Sequence, residues 1–249
     1  MHTITVEKDM RLSIGGDTTL EAADGMDASI VMKPGPDARI VLNVGKGCRI
    51  NTYMIQEEDA KVIQTNHIGE GSVVKTYSLW LRGGGGEITN SLEGPGAEAY
   101  DVQVFVGAGE RTLHLNSILR HAGRGTKGNI LVKGIVRDRA RAKVDGMIKI
   151  EKGGGGAESF LSQHVMLLNP GAHASANPEL EIENNDVSSR HAASVSQIDS
   201  DKIFYLESRG LSEADSRKLI IEGFLESAIG RVEDQTVRKE LMHKTMKAL

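Results

Sequence analysis

Apolar and polar positions alternate in short runs along most of this 249-residue chain. Lys143-Val144-Asp145-Gly146-Met147-Ile148-Lys149-Ile150 and Leu180-Glu181-Ile182-Glu183 are clear examples. A period of two sends successive side chains to opposite faces and marks half-buried strands. From about Ile30 to Ile198 the runs are cut by small polar turns at Gly45, Glu57, Gly69, Gly83, Gly94, Gly107, Gly123, Arg137, Gly153, Asn169 and Asn184, 11 to 16 residues apart. The spacing predicts eleven short strands in a sandwich, a barrel or a β-solenoid. Hairpin turns of the Asn-Gly or Asp-Gly type are scarce, and beyond the first 30 residues the one Asp-Gly, Asp145-Gly146, lies inside an alternating run. Two such units together have the length of one solenoid coil, so a β-helix is the favoured architecture.

The pattern changes after Asp199. Asp199 or Ser200 can cap a helix carrying Ile203, Phe204 and Leu206, and Gly210 follows where a left-handed C-cap is favoured. Ser212-Glu213-Ala214-Asp215 resembles a capping box. It leads into Leu219, Ile220, Ile221, Phe224, Leu225, Ala228, Ile229 and Val232, which recur at three and four. A third helix can follow through Val237, Leu241 and Ala248. The expected organisation is an N-terminal cap or edge strands over residues 1–30, a β-helix core over 31–198 and a helical domain over 199–249.

Composition narrows the function classes. A formal net charge of -4 gives no footprint for nucleic acid or an anionic membrane. A single cysteine excludes an internal disulfide framework and fits a reducing compartment. No window approaches the roughly 18 consecutive apolar residues of a membrane span, and the first residues lack a signal-peptide core. A cytoplasmic protein without nucleic-acid or membrane partners is expected. Glycine is abundant (29 residues) while proline is rare (5), which fits many tight turns rather than a disordered linker.

Within this pattern, PELEIENNDVSSRHAASVSQIDSDKIFYLESRGLSEADSRKLIIEGFLESAI resembles the C-terminal signature of the SufB/SufD family, scaffold proteins of SUF iron–sulfur cluster assembly. KGIVRDRARAKVDGMIKIEKGG (133–154) resembles that family's second recognisable stretch. The resemblance implies a right-handed parallel β-helix with a short C-terminal helical domain and pairing of two such scaffolds, alike or paralogous. It also implies docking of a SufC-like ABC-type ATPase on the C-terminal helices. The partner would hydrolyse ATP. No GxxxxGK[ST] loop occurs here, so this chain itself is expected to bind no nucleotide and to be no enzyme.

Departures from the family pattern qualify the chemistry. SufB-type members carry a cysteine in the strand before the Gly-Ala-His motif and His-Glu at the junction. Here that strand reads Leu161-Ser162-Gln163-His164-Val165-Met166, and Ala192 follows His191 as in the SufD form. The N-terminal region is also shorter than the family's. His191 is the first choice for a ligand of a transient iron–sulfur cluster, since neutral imidazole can ligate iron. His164 stands at or beside the absent cysteine, and His173 matches the Gly-Ala-His motif. Each can equally be a hydrogen-bonded strand or turn residue. Cys48, flanked by Lys46 and Arg49, is either a thiolate ligand or a small buried hydrophobe. Tyr205, Arg209, Asp215, Phe224 and Ile229 are the expected ATPase-docking residues, although Phe224 and Ile229 also suit core packing.

The leading expectation is a cluster-assembly scaffold subunit. A subunit that only recruits and regulates the ATPase is the alternative within the family. A β-helix carbohydrate-active enzyme is the remote one, poorly served by a chain with 4% aromatics and Trp80 as its one tryptophan.

Overall fold

A computed structural model describes residues 2–249. Sixteen strands, β1(His2–Val6), β2(Met10–Ile14), β3(Asp17–Ala22), β4(Asp27–Pro34), β5(Arg39–Val44), β6(Arg49–Gln56), β7(Ala60–Ile68), β8(Val73–Trp80), β9(Gly84–Leu92), β10(Glu98–Gly107), β11(Thr112–His121), β12(Lys127–Val136), β13(Arg141–Ile150), β14(Ala157–Leu167), β15(His173–Ile182) and β16(Val187–Gln197), precede three helices. The helices are α1(Ser200–Ser208), α2(Glu213–Ile229) and α3(Gln235–Ala248). Odd strands form one eight-stranded sheet, in the order β1-β3-β5-β7-β9-β11-β13-β15, and even strands form the other, β16-β14-β12-β10-β8-β6-β4-β2. Consecutive strands therefore alternate between two sheets, and all strand pairs are parallel. This is a parallel β-helix. Its coils lengthen along the axis: Asp27 pairs with Arg49, 22 residues on, whereas Lys127 pairs with Glu158, 31 residues on.

The eleven polar turns lie between consecutive strands from β5 to β16, and β1 to β4 extend the same two ladders over residues 2–34. One glycine run does more than turn. Gly84, Gly85 and Gly86 belong to β9 rather than to the turn before it. A Cβ on Gly86 would lie 1.9 Å from the Trp80 ring, and one on Gly134 would lie 1.9 Å from the Phe105 ring. Each glycine leaves the space in which a large aromatic fits inside the coil.

The two sheets use their outer faces differently. The odd sheet keeps its outer face mostly polar: Glu21, Asn43, His67, Ser91, Arg120, Lys149 and Glu181 form one cross-strand row. The middle strands of the even sheet are buried on both faces, with an apolar outer face, as fits a sheet covered on both sides. Val31, Tyr53, Ile55, Tyr77, Leu79, Val102, Val104, Leu131 and Ile135 pack outside the coil against Ile221, Leu225, Ala228, Ile229, Val237 and Leu241 of α2 and α3. The 3.6-residue period supplies the matching stripe, as Ile221, Leu225 and Ala228 share one face of α2. Tyr53 and Tyr77 stack with centroids 5.3 Å apart, and the Tyr77 hydroxyl donates to the Arg231 carbonyl at 2.9 Å. Burial pushes the Tyr53 hydroxyl up to about 12.

Caps set the helix ends. Asp199, Ser212 and Asp234 each accept a hydrogen bond from a first-turn N–H. After α1, Gly210 at φ +94° closes a Schellman motif, with Leu211 N–H donating to Leu206 O and Gly210 N–H to Glu207 O.

Candidate functional site at the open end of the solenoid

Every inner side-chain row of a parallel β-helix is covered by the coil stacked on it. β15 and β16 form the last coil, and among the described residues no further strand pairs with either. The chain beyond them turns into α1 and then runs over β10 and β12 instead of crossing the end. Register identifies which side chains the last coil leaves uncovered. Leu180 continues the row of Ile148, Ile182 that of Ile150, and Val195 that of Val165. The earlier members of these rows are sealed inside, whereas Leu180 is 37% exposed, Ile182 43% and Val195 39%.

His191 lies in the same inner set. It pairs with Leu161, which is fully buried, so its imidazole stands on an inward row yet is exposed because nothing is stacked above it. Ser189 and Ala193, two residues either side, are small and leave the ring accessible. Ser159 Oγ donates to Ser189 Oγ at 3.0 Å, tying this row to the coil beneath.

The other two histidines point elsewhere. His164 belongs to the outer row of the even sheet, where its Nδ1 lies 2.8 Å from Ser194 Oγ. Burial, with neighbouring Lys133, holds His164 below the usual imidazole range and favours the neutral ring. Lys133 is itself lowered by burial and by Arg231, and its ammonium sits 4.2 Å from the centre of the Phe224 ring. His173 opens β15 on the outer row of the odd sheet, in register with Arg141. The three imidazoles therefore face three directions.

Cys48 is fully buried in the β5–β6 turn, its thiol 3.1 Å from the Ala23 carbonyl. Five strand-to-strand steps separate β6 from β16, which is roughly 24 Å. Cys48 and His191 of one chain cannot meet on a single cluster. Among the described residues no group of three or more His, Cys, Asp or Glu is arranged to hold a metal ion. A resident cluster held by this chain alone does not fit the residues present.

The helical residues also divide. Tyr205 is exposed with the Arg209 guanidinium 5.3 Å from its ring, and Phe204, Leu211 and Leu219 of α1, the α1–α2 turn and α2 are exposed as well. Asp215 is exposed and works as a cap partner, accepting a hydrogen bond from Ser212 Oγ at 2.6 Å. Phe224 is half-buried under Lys133, and Ile229 is sealed between α2 and the even sheet. Of the five, Ile229 presents no surface to a partner.

Leu180, Ile182 and Val195 escaped the reading by residue chemistry. The signal for them was present: the alternation in Leu-Glu-Ile-Glu marks an inner row, but only the fold shows that the row is left uncovered.

Residues 18–224 match the family model described as SUF system FeS cluster assembly, SufBD core domain. The chain belongs to the SufBD core family. An iron-sulfur cluster assembly protein SufD of Bacillus subtilis (strain 168) is 35% identical over 156 residues, covering 63% of this chain and 36% of that protein. SufBD family proteins of Mycobacterium leprae and of Mycobacterium tuberculosis (strain CDC 1551 / Oshkosh) are 27% and 28% identical over 188 and 199 residues, covering 47% and 49% of their own lengths. The chain thus spans between about a third and a half of these SufBD relatives. Among the described residues no helix is long and apolar enough to cross a membrane.

Proposed function

We propose that this SufBD chain is a scaffold subunit of cytoplasmic iron–sulfur cluster assembly, that it pairs end to end with a second scaffold through β15 and β16, and that an ABC-type ATPase docks on α1 and the start of α2. One observation carries the reading. The last coil presents the inward-row residues Leu180, Ile182, Val195 and His191, and among the described residues no strand lies over them or pairs with the outer edges of β15 and β16. Such an end is completed by another coil. A second scaffold would bury the apolar residues and enclose His191, which then offers a neutral nitrogen to a cluster in transit while the partner supplies the remaining ligands. The exposed Phe204, Tyr205, Leu211 and Leu219 support the docking assignment, with Arg209 and Asp215 as polar neighbours.

A second reading, a structural subunit that recruits the ATPase without touching the cluster, is favoured by the distance and burial of Cys48. Anaerobic reconstitution of the paired scaffold with iron and sulfide distinguishes the two. The scaffold reading expects a visible chromophore that is lost or altered in His191→Ala while pairing persists. A colourless complex that still stimulates ATP hydrolysis establishes the structural subunit instead. Failure of the chain to pair with itself or with another scaffold, measured by light scattering, removes the first reading altogether.

A further inference from the structure

The edge of the even sheet beside α3 carries positive charge that the assembly reading does not use. A cavity of about 510 Å³ opens there, between the turns that follow β8, β10 and β12 and the C-terminal half of α3. Arg82, Arg111, Arg137, Lys244 and Lys247 line it against two carboxylates, Glu57 and Glu240, in a chain whose net charge is -4.

Among the described residues, acidic partners stand within ion-pair distance of three of these five cations, two of them loosely, and Arg82 and Lys247 are left over. Lys244 holds both oxygens of Glu57 at 2.8 and 2.9 Å, and Glu240 lies 3.9 Å from Arg11. Arg111 is 3.7 Å from Asp59 and Arg137 is 3.6 Å from Asp138, attracted but beyond hydrogen-bonding distance. Arg137 Nε is buried without a hydrogen-bond partner. Among the described residues neither Arg82 nor Lys247 has an acidic partner within the 4.0 Å of an ion pair. β8, β10 and β12 are neighbours on one strand ladder, so Arg82 and Arg137, which follow β8 and β12, stand two steps apart at the backbone, with Arg111 further along the intervening turn beside Arg141. Like charges gathered along this edge repel, and an anion lying between them removes that repulsion.

We propose that this cavity binds a small molecule bearing a diphosphate, its oxygens taken by the guanidinium forks of Arg82 and Arg137 and by the Lys247 ammonium. Planar guanidinium donors match phosphoryl oxygens in pairs. A ladder spanning two steps, roughly 10 Å, exceeds the reach of one tetrahedral phosphate and suits two linked ones. The volume falls within the range of small-ligand pockets, ~300–1,000 Å³. An acidic peptide would instead call for a long charged stripe, whereas here the charge is gathered in one concavity.

Calorimetric titration of the full chain with inorganic pyrophosphate at physiological ionic strength tests the site, with orthophosphate and a hexaglutamate peptide as parallel arms. Saturable binding of one pyrophosphate per chain, tighter than either alternative, is expected. The double variant Arg82→Gln, Lys247→Gln should weaken it at least about tenfold. Arg137→Gln should weaken it separately, and Lys127→Gln, at the opposite end of β12, should leave it unchanged. Melting temperatures of the ligand-free variants should be no lower than the parent's, since none of these side chains belongs to a hydrophobic core and their mutual repulsion is reduced. Absence of saturable binding, equal affinity for the peptide, or binding that survives the double variant overturns the proposal.

Discussion

Ile148 and Leu180 stand in one inner row on neighbouring strands of the same sheet, as do Val165 and Val195 in the other sheet. The first of each pair is sealed (0% and 1% exposed) and the second is open to solvent. Backbone conformation, side-chain direction and residue class are alike, so none of these explains the difference. What differs is the coil above. A solenoid coil does not bury its own inner row; its neighbour does. The middle of this molecule is a completed structure, and its last coil is a half-interface.

The largest effects should come from the completed region. Phe105 is fully buried, and its ring occupies the space left by Gly134. Phe105→Ala should cost about 3–5 kcal/mol, read as a lowered urea midpoint. Gly134→Ala should also destabilise, because a Cβ there would meet the ring at 1.9 Å. The double variant should be less destabilised than the sum of the two, since the added methyl enters the vacated space. Strict additivity would show that the glycine serves the backbone and not the ring.

A smaller effect reports the polarity of the same interior. Asp101 is fully buried with Gln103 Nε2 at 2.8 Å, and desolvation raises its carboxyl to about 7 despite that hydrogen bond. The fold therefore holds the protonated form. Its contribution is fully present below the unfolded value near 3.8 and is lost as pH rises through about 7. Asp101→Asn should be more stable than the parent at pH 8 by on the order of 1–3 kcal/mol, with the advantage shrinking toward pH 5. His121 works in the opposite direction. Burial lowers it to about 4, so the folded ring stays neutral and stability falls as pH drops from 6.5 toward 4. Chemical denaturation at a series of pH values, parent against Asp101→Asn, separates the two titrations. A difference independent of pH would mean that Asp101 is ionised inside the coil.

The sequence disclosed much of the architecture and less of the site, for a physical reason. Strand alternation and turn glycines are local, so the ladder from β5 to β16 and the caps at Asp199 and Ser212 could be read directly. The apolar outer positions of β6, β8 and β10 were equally visible as Tyr53, Tyr77 and Val104, but the helices that cover them arrive more than 100 residues later. Burial is non-local in this way. It places Ile229 in a core rather than on a docking face, seals Cys48 into a turn, and separates His164 and His173 onto outer rows. His191 was identifiable as a residue; its inward row and its exposure together were not.

The smallest change in stability should come from the last coil, and there the contrast with the middle can be broken. Ile148→Ser places a hydroxyl in a sealed row and should cost at least about 3 kcal/mol. Leu180→Ser, one strand on, should cost the isolated chain less than about 1 kcal/mol, because its side chain is already partly in water. Its consequence should appear in association instead: Leu180→Ser combined with Val195→Ser should shift the paired species toward the single chain in light scattering while the urea midpoint of the dilute protein barely moves. If Leu180→Ser destabilised the dilute chain as much as Ile148→Ser, the terminal row would already be covered from within the molecule. The end of the solenoid would then be a closed cap, and its exposed histidine would need another explanation.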